Sequence, residues 1–364
     1  MPRPTIFGLI ALVTAVPATA ADPPAKTAAP VTAAVESTLK TAGGQIRQFA
    51  FDGNGDTFFA SEKNPGKDDH FTLKLDRPVT LKSVELWTGR PNGDDCLERG
   101  VLEVSPDGKT FKEYGKLSWR ATRAGVQTLL FETGKPPPKV QAIRIKPGEL
   151  DHPLVIREIK VDSDPPVAAF GYPVEIVLDV SDAPEMREWG EKVARTCEGA
   201  YPMINEELKS DGFKPATLIT LTLKKDYRGV AATAGSRITG SAKYFQSHPD
   251  DVGAMVHETV HVVQRYRLPN APGWLTEGIA DYIRFFKFEP GKVGRINPDR
   301  ARYNDSYRVS ASFLDYATQK YDKELVRKLN KALREGEYTE DLWKEFTKKT
   351  VQELEKEWRA SFIK

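Results

Sequence analysis

Two short motifs constrain the fold of this chain more than any other feature of its sequence. The motif HETVH places His257 and His261 four residues apart, so in an α-helix both side chains project from one face, one turn apart. The motif EGIAD places Glu277 and Asp281 at the same spacing. Because the chain has only five histidines, the pattern H-[DE]-x-x-H is expected in it by chance about 0.01 times. We therefore predict two neighbouring helices that face each other across a shared site.

The residue types in these motifs suit a metal ion. Two imidazoles one turn apart can reach one zinc ion at about 2.0–2.1 Å each. Catalytic zinc usually has a third protein ligand and one open position, and Glu277 is the candidate for that ligand. Glu258 lies about 100° around the helix from His257, where it could take a proton from water on the ion and pass it to a leaving amine. Asp281 could orient a ligating histidine by accepting a hydrogen bond from its far nitrogen.

Two plainer interpretations of the same residues are open from the sequence. His257 and His261 could be core residues bonded to backbone carbonyls, and Glu277 and Asp281 could lie on a solvated helix face. The histidine pair flanking Glu258 favours a metal site over the first interpretation. The apolar residues interleaved with Glu277 and Asp281 indicate a helix that packs closely against its neighbours, which disfavours the solvated helix face.

The N-terminus has the pattern of a secretory signal peptide over residues 1–20. Arg3 precedes an apolar run over residues 6–16, and Ala18 and Ala20 form an A-x-A cleavage site; an uncleaved anchor is the alternative. No later stretch reaches about 18 uninterrupted apolar residues, so we expect no membrane span after signal removal and a secreted or periplasmic protein. The net charge of +2 provides no basic stripe for nucleic acid.

Changes in composition divide the rest of the chain. Many short apolar or alternating runs, separated by turn signals such as PDGK, predict an all-β sandwich, and strands followed by helices predict an α+β domain after it. Cys96 and Cys197 fall in different units, and free thiols are favoured over a bridge between them. The predicted order is signal peptide 1–20, flexible leader 21–43 rich in Ala, Pro and Thr, sandwich 44–163, linker 164–173 and α+β domain 174–364.

The α+β segment resembles a known peptidase family. H-E-x-x-H followed by E-x-x-x-D on a separate helix is similar to the gluzincin metallopeptidases, and GWLTEGIADYIR resembles in particular the basic secretory protein family of plants and bacteria. The resemblance spans about residues 170–340, with GVAATAGSRITGSAKYF before the first motif and YRVSASFLDYATQKY after the second. It implies a zincin-like fold, zinc and hydrolysis of peptide bonds, with His257, His261 and Glu277 as ligands and Glu258 as catalytic base.

The resemblance also implies two further parts of a substrate cleft. In zincin-like folds an edge strand ahead of the first motif pairs with an extended peptide. The segment SRITGSAKY is the candidate, with Ser236, Ile238 and Gly240 as substrate-binding residues, and a strand with a covered edge is the alternative. Tyr307 matches a position where relatives have a tyrosine, which could stabilise a transition-state oxyanion. Tyr307 and the nearby Tyr303 could equally be packing aromatics.

The sandwich segment resembles the discoidin or coagulation factor type C domain, through FAFDGNGDTFFAS, LEVSPDGKTF and VIREIKV. Such domains are common as bacterial carbohydrate-binding modules, which implies a glycan or cell-surface partner. Asp52, Asp56 and Thr57 crowd oxygen atoms into a tight turn, and Glu158 matches a position that often closes a structural calcium site. An Asp/Asn/Gly turn without an ion is the alternative.

Aromatic residues of the sandwich have two interpretations. Trp87, with Arg90 and Trp119, could present a platform for a sugar, although tryptophans in a sandwich commonly belong to the core.

Taken together, the sequence predicts a secreted zinc-dependent metallopeptidase with an attachment module. The alternatives are a non-catalytic surface-binding protein on a peptidase-like scaffold, and a hydrolase acting on an ester or a sugar-linked amide.

Overall fold

The computed structural model describes residues 30–118, 120–121, 127–132, 139–266 and 271–362 of the chain. Within these ranges a β-sandwich is followed by an α+β domain, as the sequence predicts. The predicted signal peptide, the first part of the predicted leader and Trp119 lie outside the described residues, so their roles stay predictions. Among the described helices, none is both long enough and apolar enough to cross a membrane.

The N-terminal unit contains nine antiparallel strands within the described ranges. Buried and more exposed side chains alternate along much of them, as expected for strands with one face on a core. In chain order the strands are β1 (Ala33–Ser37), β2 (Phe59–Ala60), β3 (Phe71–Thr88), β4 (Arg99–Ser105), β5 (Lys112–Ser118), β6 (Arg120–Ala121), β7 (Gln127–Glu132), β8 (Lys139–Lys146) and β9 (Val155–Asp164).

The long strand β3 joins the two layers of the sandwich. Its first half pairs with β1 and β8, and its second half pairs with β7 and β9. The pairing of β3 with β8 has a register shift between Lys74 and Val79, and irregularities of this kind bend and twist a strand. Leu73, Leu81 and Leu86 are buried along β3 in the core between the layers.

The prediction of a flexible leader over residues 21–43 is wrong for its last part, which contains a strand. Residues Ala33–Ser37 form β1, which pairs with Phe71–Leu75 at the start of β3. Val31 and Val35 are 0% and 3% exposed. The low content of large apolar residues suggested disorder, but two valines are enough to anchor an edge strand on a core that the rest of the sandwich supplies.

The segment between the two units is packed against the sandwich. Ala168 N donates a hydrogen bond to Val31 O at 2.8 Å. The ring of Phe170 packs edge-on against Phe51, with the ring centroids 5.8 Å apart. The predicted linker is therefore an ordered connection that closes one end of the sandwich.

A buried polar cluster joins the sandwich to the α+β domain. Arg47 pairs with Glu175 through Nε at 3.3 Å and with Glu198 through Nη2 at 3.2 Å, and the three side chains are 13%, 9% and 8% exposed. Gln48 Oε1 accepts a hydrogen bond from Val174 N at 2.6 Å. Because an unpaired buried charge is costly, these contacts hold the sandwich against the first strand of the second unit.

The α+β domain begins with strands and ends with helices. Its strands are β10 (Glu175–Asp179), β11 (Leu218–Lys224), β12 (Ala231–Ala234) and β13 (Arg237–Ser241). Its helices are α1 (Arg187–Glu207), α2 (Ala242–Ser247), α3 (Gly253–Gln264), α4 (Gly273–Tyr282), which continues as a π-helix over Ile283–Phe288, α5 (Tyr307–Lys320), α6 (Leu325–Glu335), α7 (Asp341–Thr347) and α8 (Val351–Ser361).

The four strands form one sheet in the order β10-β11-β13-β12, with β12 antiparallel to its neighbour. Helices α1 and α3 pack against each other and against this sheet. Tyr201 of α1 and Val260 of α3 are buried with Ile219 and Leu221 of β11 in the same core. The described structure leaves Cys96 and Cys197 as free thiols, as predicted; Cys197 of α1 is buried, as expected for both, whereas Cys96 is only partly buried.

Candidate metal centre

The two motif helices lie against each other, as predicted. Helix α3 ends at Arg265, whose φ of 46° and ψ of 41° are left-handed and turn the chain out of the helix. Helix α4 begins after Pro272 and also packs against α5. A Cβ at Gly278 would lie 2.8 Å from the Cβ of Ser310, so the glycine next to Glu277 allows α4 and α5 to approach closely.

Three side chains converge between these helices. His257 Nε2 lies 3.1 Å from His261 Nε2 and 3.1 Å from Glu277 Oε2, and His261 Nε2 lies 3.4 Å from Glu277 Oε2. Ligands of a tetrahedral ion bound at 2.0–2.1 Å are about 3.3 Å apart. Within the described part of the chain, this triad is the one group of three or more His, Cys, Asp and Glu residues with ligand atoms within 4.8 Å of one another. Its spacing fits a small divalent metal ion.

Each histidine of the triad is oriented by a side chain that contacts its Nδ1 atom. Asp281 Oδ1 lies 2.6 Å from His257 Nδ1, the contact that the sequence predicts. Gln264 Oε1 lies 2.6 Å from His261 Nδ1, and Gln264 Nε2 donates to Thr276 O at 2.8 Å. Sequence reasoning missed Gln264, although it lies one turn of helix after His261. Each pair directs the Nε2 atom of its histidine toward the centre of the triad.

The charges of the triad complement one another. Burial lowers the pKa of His257, but its hydrogen bonds with Asp281 and Glu277 raise the pKa overall, to about 9. Burial raises the pKa of Glu277, but hydrogen bonds with His257 and His261 lower it overall, to about 2. The same acidic groups that stabilise a proton on His257 would stabilise a bound cation in its place.

We expect Asp281→Asn to weaken metal binding about 10- to 100-fold, because the carboxylate behind His257 contributes to the orientation and basicity of that ring. Competition with a chromophoric chelator measures this affinity directly. Asp211→Asn, at an exposed position outside the site, is the matched control. Unchanged affinity in Asp281→Asn would show that this carboxylate does not support the ligand.

The proposed catalytic base, Glu258, forms a hydrogen bond with a residue of the sheet. Glu258 is 8% exposed and lines the cleft that contains the triad. Thr233 of β12 donates its hydroxyl to Glu258 Oε2 at 2.7 Å and lies 2.9 Å from Glu258 O. Sequence reasoning did not find Thr233, because the GVAATAG stretch around it shows no recognisable spacing. Glu258 therefore faces the cleft beside the triad without belonging to it.

Tyr307 lies at the mouth of the cleft. It is 57% exposed, and its ring is 6.1 Å from the His257 ring with an interplanar angle of 25°. Its φ of 49° is left-handed, which is uncommon for a bulky residue and frequent at functional sites. Tyr303, by contrast, packs its ring against Trp274 and Phe313 and does not line the cleft. Of the two tyrosines, only Tyr307 has access to the triad.

The predicted substrate-binding edge strand is wrong. Strand β13, which contains Ile238 and Gly240, is paired on both sides, with β11 and β12, and both residues are buried; Ser236 lies in the turn just before it. A Cβ at Gly240 would lie 2.3 Å from the side chain of Met255, so this glycine permits packing of α3. Among the described strands, β12 ends the sheet on the side of the cleft, and its Ala231 and Thr233 line the cleft. The sequence suggested the neighbouring strand because β12 is short and rich in alanine.

The calcium candidates are only partly assembled. Thr57 Oγ1 donates to Asp52 Oδ2 at 2.8 Å. Glu158 is 3% exposed, and its Oε2 has no hydrogen-bond partner. Burial and the charge of Asp52 raise the pKa of Glu158 to about 7. Asp56 is exposed, and Asp52, Asp56 and Glu158 do not form a group of three whose carboxylate oxygens all lie within 4.8 Å of one another.

In the described residues, an all-β sandwich precedes an α+β domain with a His-His-Glu triad in a cleft. Residues 183–358 match the family described as peptidase of plants and bacteria (BSP), and residues 32–158 match the F5/8 type C domain. The chain therefore carries a domain of each family. Both resemblances and the fold class predicted from the sequence are confirmed.

Solved carbohydrate-binding modules are similar to part of this chain. The CBM32-1 module from a family 31 glycoside hydrolase of Clostridium perfringens is 22% identical, with a TM-score of 0.31, over 35% of this chain and 92% of that chain. The family 32 module of Clostridium perfringens NanJ, in complex with galactose, is 13% identical, with a TM-score of 0.31, over 35% of this chain and 92% of that chain. No curated protein matches the chain.

Proposed function

We propose that the chain is a zinc-dependent peptidase that hydrolyses peptide bonds at the triad of His257, His261 and Glu277. The carrying observation is the set of distances of 3.1, 3.1 and 3.4 Å among their ligand atoms. Two imidazoles and one carboxylate are a donor set typical of catalytic zinc. The match of residues 183–358 to a peptidase family supports the reaction class. The sequence of residues 1–20 supports a secreted or periplasmic location.

In the proposed mechanism, His257, His261 and Glu277 would hold the zinc ion, which would supply Lewis-acid chemistry toward the substrate carbonyl and the attacking water. Glu258 takes the proton of this water and returns it to the leaving amine. The Thr233 hydroxyl bonds one oxygen of Glu258 at 2.7 Å, which orients the carboxylate and leaves its other oxygen for the water. The edge of β12 on the side of the cleft offers backbone groups to an extended peptide, which favours a polypeptide substrate.

We expect Tyr307→Phe to lower kcat about 10- to 100-fold with a smaller change in KM, because an oxyanion donor acts mainly in the transition state. Steady-state cleavage of a fluorogenic peptide measures both constants. Tyr303→Phe is the matched control, since it removes a hydroxyl four residues away that bonds Glu340 outside the cleft. Wild-type kcat in Tyr307→Phe would show that the Tyr307 hydroxyl does not stabilise the oxyanion and that the residue only lines the cleft.

For the sandwich we propose attachment to a glycan or cell surface, which the F5/8 type C match supports. The predicted platform at Trp87 has little free ring surface, because Lys160 Nζ lies 3.9 Å from its ring centroid and a Cβ at Gly55 would lie 2.9 Å from its edge. A ligand would therefore have to displace Lys160 or bind elsewhere. Titration of the full chain with a panel of monosaccharides tests the attachment role, and no binding across a broad glycan panel would contradict it.

We also propose that calcium binds between Asp52 and Glu158, since the partnerless buried oxygen of Glu158 suits a cation. We expect calcium to raise the thermal unfolding midpoint of the wild-type protein, because an ion that binds only the folded state stabilises it. Glu158→Gln should abolish the increase in scanning calorimetry, whereas Glu149→Gln, at a nearby solvent-accessible position, should keep it. An equal increase in Glu158→Gln would exclude this site.

A casein assay separates the peptidase from its alternatives. A non-catalytic surface-binding protein on a peptidase-like scaffold predicts no turnover of any substrate. A hydrolase of esters or sugar-linked amides predicts turnover of those substrates and not of casein. The complete set of triad, Glu258 and its supporting Thr233 favours catalysis over a scaffold, because a scaffold alone has no use for this convergence.

A further inference from the structure

The cleft extends beyond the triad toward both ends of α3, and its two ends differ in charge. At the N-terminal end of α3, Arg284 donates to Asp251 Oδ1 at 2.5 Å and to Glu289 Oε1 at 2.8 Å. Tyr244 donates its hydroxyl to Asp251 Oδ2 at 2.8 Å. The cation at this end is therefore already neutralised by protein carboxylates.

At the opposite end of the cleft lies a cation, Arg265, that no described carboxylate neutralises. Among the described residues, this end is lined by Gln264, Arg265, Tyr266, Ala271 and Thr276, of which Arg265 alone is charged. Arg265 is exposed and has no hydrogen bond or ion pair with any other residue in the described ranges, which leave out residues 267–270. An arginine of the cleft that has no partner among the described residues is available to a ligand.

The usual structural role of an arginine at the end of a helix is to bond the last carbonyl groups, and at α3 Arg334 has this role. A cation next to a helix C-terminus commonly bonds the last carbonyl groups of that helix. At the end of α3, Arg334 does this, donating to Val263 O at 2.9 Å and to Gln264 O at 3.3 Å. Arg334 is itself held by the ring of Phe213, 3.6 Å from its guanidinium carbon. Capping of α3 therefore does not require Arg265.

The position of Arg265 relates it to the triad. It follows His261 by four residues, as His261 follows His257, and its left-handed backbone, with φ of 46°, closes the helix there. Four residues of helix rise about 6 Å, which is close to the length of two residues of an extended peptide at about 3.3 Å each. A group bound by Arg265 would belong to a substrate residue about two positions from the scissile bond.

We propose that Arg265 binds a carboxylate of the substrate and makes the cleft selective for peptides with an acidic group about two residues from the cleaved bond. The inference rests on the proposed peptidase function and names its substrate class. The planar guanidinium matches a carboxylate through two parallel hydrogen bonds. The carboxylate can come from an internal Asp or Glu side chain or from the C-terminus of a short peptide.

The test compares peptides that differ in one charge. One set replaces Gln by Glu at each of three positions on either side of a common scissile bond, and a second set pairs free-acid with amidated C-termini. We expect kcat/KM for the wild-type enzyme to be about fivefold higher or more for the acidic member at one position. Preference within the first set identifies a side-chain carboxylate, and preference within the second set identifies a C-terminal one. Added salt should weaken either preference.

Variants of Arg265 separate charge recognition from structure. Arg265→Gln should bring the acidic-to-neutral ratio close to one, Arg265→Glu should favour Lys at that position, and Arg265→Lys should retain part of the preference for Glu. Arg187→Gln, which removes an exposed arginine outside the cleft, should keep the wild-type ratio. Cleavage without acidic preference, or a preference that survives Arg265→Gln, would overturn the role of Arg265 alone. Failure to cleave any peptide would overturn the proposed peptidase function and this inference with it.

Discussion

Glu258→Gln should lower kcat about 1,000-fold or more while the protein keeps its full metal content. The amide of glutamine has nearly the same shape as the carboxylate, so the hydrogen bond from the Thr233 hydroxyl at 2.7 Å can persist. The variant loses only the capacity to take a proton, and general base catalysis is commonly worth about 10²- to 10⁴-fold. Peptide turnover and atomic emission on the same preparation measure activity and metal together.

The control for this variant is Glu188→Gln, a change of the same chemistry at an exposed position of α1. It should retain both activity and metal. If Glu258→Gln kept near wild-type kcat, Glu258 would not be the base, even with the triad fully loaded. If it lost metal as well as activity, the carboxylate would act on the metal site rather than on the proton.

His261→Ala should abolish both metal binding and activity. His261 contributes one corner of the triad, at 3.1 Å from His257 Nε2 and 3.4 Å from Glu277 Oε2, and alanine leaves two protein ligands. Removing a residue that hydrogen-bonds to a metal ligand typically lowers metal affinity about 10- to 100-fold. Removing the ligand itself should therefore lower metal affinity more than about 100-fold. Chelator competition measures this loss, and thermal unfolding with and without zinc tests it independently, because zinc stabilises only a protein that binds it.

The matched control is His152→Ala, which removes a histidine of the sandwich that contacts Pro153 O. It should leave zinc binding intact. A circular dichroism spectrum equal to that of the wild type would show that His261→Ala is folded. Retention of zinc at wild-type affinity in that folded variant would contradict the assignment of His261 as a ligand.

The metal centre could be predicted from the sequence because its geometry is set by local spacing. His257 and His261 share a face of α3 through helical periodicity alone, and the same holds for Glu277 and Asp281 on α4. The contact between His257 and Asp281, at 2.6 Å, followed from placing the two helices side by side. Local periodicity and one tertiary assumption were therefore enough for the triad.

The surroundings of the triad depend on tertiary packing that no local pattern records. Thr233 meets Glu258 because β12 ends its sheet beside α3, and the segment around Thr233 resembles an ordinary loop in the sequence. The availability of Arg265 depends on Arg334, which is far along the chain in α6 and caps α3 in its place. The strand Ala33–Ser37 forms only because β3 offers it an edge. These features become visible only once the elements are assembled.

The central claim is that the triad binds a metal ion through His257, His261 and Glu277, and the metal content of the purified protein tests it most directly. Protein dialysed against zinc and then against metal-free buffer should retain about one zinc ion per chain. The Glu277→Ala variant, shown to be folded by circular dichroism, should lose most of it. Wild-type protein without zinc would contradict the account and leave the α+β domain as a scaffold, and equal zinc in both proteins would exclude Glu277 as a ligand.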